Sequence, residues 1–170
     1  MSRTAKKQPA SSLYESDFHA WTRAQASAIA EHRWSEVDAA NVADEIGSLG
    51  LELEREIGDR VEILLSYLLK WRQLAEYRGF AWKENIDRQR QELDELLAEN
   101  PSLRGQRDHY VAQAYEDARR RLKYETYFFS ADFPASCPFT VEEVFDVKYF
   151  PEELDAPATG KFPTARSIGR

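Results

Sequence analysis

From Val42 to Trp71, apolar residues recur at Val42, Ile46, Leu49, Leu53, Ile57, Val61, Leu64, Leu68 and Trp71, each three or four positions after the last. A helix puts residues at that spacing on one face, so the stripe predicts one long helix with a side laid against a core. Gly47, Gly50 and Gly58 interrupt the pattern, and a glycine inside a helix costs about 1 kcal/mol relative to alanine. The interruption predicts either a kink near Gly47 and Gly50 or a neighbouring helix that comes close there.

Other helices follow from the same reasoning. Ser16 or Asp17 is placed to cap a first helix running to about His32, with Phe18, Trp21, Ala28 and Ile29 as its apolar face. After the break at Tyr77-Arg78-Gly79, Trp82, Ile86, Leu93, Leu96 and Leu97 mark a third helix. A fourth starts at Pro101 and turns Leu103, Tyr110, Val111, Ala114, Ala118 and Leu122 inward. From Tyr124 the chain becomes aromatic and proline-punctuated. Pro134 and Pro138 preclude a regular helix, yet Phe128, Phe129, Phe133 and Phe139 are too apolar to be left in water. This segment is expected to wrap the helices as a strap, followed by a short helix that Thr140 and Glu143 begin as a capping box.

With 170 residues, seven glycines and seven prolines, the expectation is an all-α protein, an up-and-down bundle of about four main helices with a C-terminal aromatic and proline strap and a short helix. Its single domain spans residues 13–150, between a flexible basic tail at 1–12 and a flexible tail at 151–170.

Charge and motifs exclude several function classes. The net charge of −7 divides into +3 over residues 1–12, −8 over 13–69, +2 over 70–123 and −4 over 124–170. An acidic first half beside a slightly basic second half suits helices that attract one another and gives no support to a nucleic-acid binder. Arg119, Arg120 and Arg121 complement a helix dipole next to Glu116 and Asp117. The longest apolar run, Ile63 to Leu69, is far short of the roughly 20 residues that span a bilayer. With a single cysteine, Cys137, and no secretory pattern, a cytoplasmic protein is expected. His19, His32 and His109 are scattered, with no zinc spacing and no phosphate loop nearby, and Gly47-Ser48-Leu49-Gly50 is not a nucleophile elbow. The expectation is no catalytic residue, no metal and no cofactor.

What remains is a set of polar residues that intrude on the stripes. At 100° per residue, Arg60 falls within the long helix's stripe, with Glu56 at one edge and Lys70 near the other; Gln89 faces inward, Arg90 borders its stripe, and Arg107 points with Tyr110 and Ala114. Structural ion pairs, Glu56 with Arg60 for instance, are the preferred explanation. The alternative is a ligand-binding or hydrolytic cleft lined by Glu56, Arg60, Lys70, Gln89, Arg90 and Arg107, where arginines hold an anion and the glutamate orients water. The leading functional expectation is an interaction module, self-associating or binding another protein, because four Trp, eight Tyr and nine Phe leave aromatics over once a core is filled.

LYESDFHAWTRAQA at 13–26, VADEIGSLG at 42–50, LLSYLLKWRQ at 64–73, the spaced Trp82, Ile86, Gln89 and Arg90, PSL at 101–103, AYEDAR at 114–119 and FPASCPFTVEEV at 133–144 resemble the bacterial family described as domain of unknown function 29. The resemblance runs over about residues 13–152. It implies a compact all-helical domain, usually a small protein on its own, with no established activity, cofactor or catalytic residue to carry over. Members of that family often have His where this chain has Tyr67. A phenol with a pKa of about 10 does not replace an imidazole in acid–base or metal chemistry at neutral pH.

Overall fold

The computed structural model describes residues 10–125 and 133–152. Among them are six helices and no strand: α1 (Ala10–Ser16), α2 (Phe18–Ala30), α3 (Ala39–Gln73), α4 (Phe80–Glu99), α5 (Arg107–Glu125) and α6 (Val141–Phe145). The chain is all-α, as its periodicity dictates. Its contacts divide it into two compact units, Met1–Arg55 and Glu56–Arg170. Most of the two expected tails lies outside the described residues, as do Phe128 and Phe129, although residues 10–12 belong to α1.

In the first unit, the Asp17 carboxylate accepts from the Ala20 N–H at 2.9 Å and caps α2 as its position predicts. Trp21 and Ala28 are buried, with the Trp21 ring edge-on to Tyr14 at 4.9 Å and stacked with Phe18 at 5.6 Å. The expected apolar face is narrower than drawn, because Phe18 and Ile29 are exposed and Gln25 is buried in line with Trp21 and Ala28. The Gln25 side-chain oxygen accepts from the Asp38 N–H at 2.7 Å, directly before α3. Helix α2 ends in a Schellman motif: Arg33 N–H donates to the Ala28 carbonyl at 2.8 Å and His32 N–H to the Ile29 carbonyl at 3.1 Å. His32 takes the left-handed conformation that this end requires, φ 57°. Its position just past the helix is thus a backbone role, which glycine fills without a Cβ clash.

The second unit holds the larger core. Ile57, Val61, Leu64 and Leu68 on α3 meet Ile86, Leu93 and Leu97 of α4 and Tyr110, Val111, Ala114, Ala118 and Leu122 of α5 in one buried cluster. α3 runs as one helix through all three glycines, and an added Cβ at any of them meets nothing within 4 Å among the described residues, so the close approach expected there does not occur. Lys70 and Arg72 fall in the last turn of α3. The corner that follows is closed by Arg78, which donates to the Trp71 carbonyl at 2.7 Å. Pro101 opens a 3-10 turn, Pro101–Gln106, and α5 starts only at Arg107. In that turn Arg104 donates to the Leu97 carbonyl at 2.9 Å and finishes α4, a job an immediate α-helix would not let it do.

The strap is present where it is described. Phe133 and Phe139 are buried, and both bonds of the Thr140–Glu143 capping box form, at 2.8 and 3.2 Å. The Tyr115 hydroxyl donates to the Pro134 carbonyl at 2.8 Å, tying α5 to the strap. Burial pushes this phenol up to about 12, and it pushes the half-buried Cys137 thiol up as well, away from reactive thiolate.

Two stability changes follow. A phenol whose folded pKa lies above its unfolded value of about 10 stabilises the fold below that pH, and the contribution, up to roughly 2–3 kcal/mol, is lost as pH climbs towards 12. Thermal melts as a function of pH should therefore show a shallower alkaline loss in Tyr115→Phe than in the wild type, with a residual slope because burial also raises Tyr149. His32→Gly should raise stability by about 0.5–1 kcal/mol in urea titration by relieving the left-handed residue.

Candidate functional site

Among the described residues, the second unit places the six polar residues singled out by their helical positions in three groups. The first is Arg60, which is paired on its own helix with Glu56 at 2.7 Å and across to α4 with Glu92. Its side chain is a quarter exposed. Glu92, 32 residues away, is the partner that sequence spacing did not offer. Both carboxylates are more exposed than the arginine, so this is a rim cluster that sets the register of α3 against α4 and is worth little in free energy.

Arg90 is the second group, with 2% of its surface exposed. It is placed inward because α4 buries Ile86, Gln89, Arg90, Leu93 and Leu97 along one side. Among the described residues no carboxylate lies in its hydrogen-bond shell. Instead Nε donates to the Val144 carbonyl at 2.9 Å, Nη2 to Glu143 at 2.9 Å and Nη1 to Tyr149 at 2.7 Å. Two of these carbonyls belong to the last turn of α6, whose helical bonds have run out. Burial pushes the guanidinium below its ordinary value, while Asp146, Asp87 and Tyr149 hold it up. Phe150 lies under it with 5.7 Å from ring centroid to guanidinium carbon. Arg90 is a structural tie, and so is Arg107, which stacks over the Phe145 ring at 5.5 Å.

Lys70 and Gln89 form the third group, and they share a cavity. They line a cavity of about 250 Å³ with Ser66 and Tyr67 of α3, Arg88 of α4 and Arg121 of α5; Ile63 and Asn85 complete the wall. Lys70 lies over the Tyr67 ring at 5.0 Å, and Arg88 donates to the Asn85 side chain at 2.6 Å. Arg121 pairs with Glu62 at 2.8 Å. Ser66 and Gln89 are buried, and neither Ser66 Oγ nor Gln89 Oε1 has a hydrogen-bond partner among the described residues. Position on the stripe found Gln89 and Lys70. It missed Ser66, the one serine in the largely aliphatic run ILLSYLL, and it set aside Arg121 as a dipole partner.

A second surface lies on the first half of α3. Ile46 and Leu49 are 64% and 62% exposed, although they stand on the same stripe as Ile57, Val61 and Leu64, which are exposed by 1% or less. Between Ala39 and Arg55 this helix carries Asp44, Glu45, Glu52 and Glu54 against the single base Arg55. Glu45 accepts from the Tyr14 hydroxyl at 2.6 Å, a bond that raises the Tyr14 pKa and fixes the carboxylate beside the stripe. Among the described residues no group of acids, histidines and cysteine is gathered to hold a metal ion, and no helix is long and apolar enough to cross a membrane.

The family model described as "Domain of unknown function DUF29" matches residues 13–150, and the chain belongs to that family. No curated protein and no solved structure matches the chain.

The role of Arg90 is open to direct measurement. Arg90→Met strands three carbonyls and should cost roughly 3–5 kcal/mol in chemical denaturation. Arg90→Lys should recover little of this, because an ammonium cannot donate along three fixed directions from the guanidinium plane.

Proposed function

We propose that this member of the family is a protein-interaction module whose docking face is the first half of α3, and that the partner contributes a basic amphipathic helix. The observation that carries this reading is the exposure of Ile46 and Leu49 on a stripe whose continuation forms the core. An apolar stripe on a helix is what a second amphipathic helix docks against, with its own residues at i, i+3 or i+4 and i+7. The charge around the stripe selects the partner. At 100° per residue Glu45 and Glu52 lie along one side of it, while Glu54 and Arg55 point away from it. A second copy of this face would bring the same carboxylates together, and a nucleic acid would bring phosphates, so like charges oppose both. Lysines and arginines flanking an apolar stripe complement it. Such a module works by binding alone and needs no catalytic group.

The test is titration of a synthetic helix with a leucine stripe and lysine flanks, followed by fluorescence anisotropy, beside the same peptide with glutamate flanks. The lysine peptide should bind and weaken as salt is raised. The glutamate peptide should bind far less. Ile46→Asp with Leu49→Asp should weaken binding by about tenfold or more while changing stability by no more than about 0.5 kcal/mol per site, because both residues are exposed. Equal binding of the two peptides, or a concentration-dependent dimer in light scattering that Ile46→Asp dissolves, would show that the face serves something else.

A further inference from the structure

The cavity among α3, α4 and α5 has features that the docking face does not account for. Ser66 Oγ and Gln89 Oε1 are both buried in its wall without a protein partner among the described residues. Buried polar groups are nearly always satisfied, and a pair left unsatisfied on two adjoining helices works against the fold. Cations come to the same cavity from three helices: Lys70 from α3, Arg88 from α4 and Arg121 from α5. None of the eight residues that line it is acidic, in a chain whose net charge is −7. Glu62, the carboxylate on Arg121, holds that guanidinium from outside the wall.

We infer that this cavity binds a small oxyanion that carries a neighbouring hydroxyl group, the chemistry shared by hydroxy acids and phosphorylated polyols. The division of labour follows from the donors and acceptors available. Ammonium and guanidinium groups have no acceptor, so Lys70, Arg88 and Arg121 take the anionic end. Ser66 can donate to an anionic oxygen. Gln89 Oε1 can only accept, so it calls for a donor on the ligand, which a bare carboxylate does not have. The volume, about 250 Å³, suits a molecule of a few carbon atoms. No covalent step is implied: Cys137 lies outside the cavity wall, and the wall holds no carboxylate or imidazole to act as a base.

Four probes separate the elements of this proposal in the full chain: glycerate, glycerol 3-phosphate, propionate and glycerol. Glycerate or glycerol 3-phosphate should raise Tm at millimolar concentration and shift the Gln89 side-chain amide signals in NMR, and which of the two binds tighter identifies the oxyanion. Propionate lacks the hydroxyl and should bind about tenfold more weakly, and glycerol lacks the charge and should not bind. Ser66→Ala and Lys70→Met should each weaken the tighter probe by about tenfold or more. Ser66→Ala should also leave the Tm of the unliganded protein unchanged or higher, since it removes a hydroxyl that has no partner. A site maintained for binding shows this opposition between stability and affinity, and a structural hydroxyl does not. The proposal is overturned if neither oxyanion moves the Gln89 signals, if propionate binds as well as glycerate, if the variants bind undiminished, or if Ser66→Ala lowers Tm.

Discussion

A guanidinium with 2% of its surface exposed and, among the described residues, no carboxylate in its hydrogen-bond shell is the constraint on which the larger unit depends. Arg90 cannot lose its proton and cannot be left unsatisfied, so the backbone must come to it. The chain from Glu143 to Tyr149 does so, offering three carbonyls at 2.7–2.9 Å. Once that segment is held against α4, Val144, Phe139 and Phe133 are positioned to be buried with the helices. The capping box starts α6 and Arg90 receives its end, so a five-residue helix that would be negligible in isolation becomes a fixed part of the core. Hydrophobic burial and the buried cation support one another here: the strap covers Arg90, and Arg90 holds the strap's end to α4.

Gln89 is the residue before Arg90, and a step of 100° around α4 separates their directions. That step turns one polar side chain to the strap and the other to the cavity with Ser66 and Lys70. The same short segment thereby serves two ends, a saturated polar contact that stabilises and an unsaturated one that does not. Inward polar groups are not one class, and the difference between Arg90 and Gln89 is whether the protein itself supplies the partner.

Helix α3 carries a comparable contrast along its length. Its stripe is chemically uniform, but Ile57, Val61 and Leu64 are covered while Ile46 and Leu49 stand in solvent. The covered portion meets α4 and α5. The exposed portion has the carboxylates Glu45 and Glu52 along one border, which oppose casual association and leave the face open to a partner of opposite charge. Charge is thus divided between two surfaces: acid around the apolar face, base around the cavity.

Much of the fold is written locally. The period of the apolar residues determined the helices, Asp17 determined where α2 begins and the Thr140–Glu143 box where α6 begins, because all of these act over three or four residues of one helix. The inward direction of Gln89 and the Glu56–Arg60 pair were legible for the same reason. What the sequence could not determine was set at long range. Glu92 reaches Arg60 across 32 residues, the carbonyls that satisfy Arg90 lie 53 to 59 residues away, and Arg121 lines the cavity of Ser66 and Lys70 only because α5 packs beside α3. A helical period states which way a side chain points but not what stands opposite it, so packing alone decided that Arg90 is a tie, that Lys70 and Gln89 share a cavity, and that the stripe's first half stays uncovered.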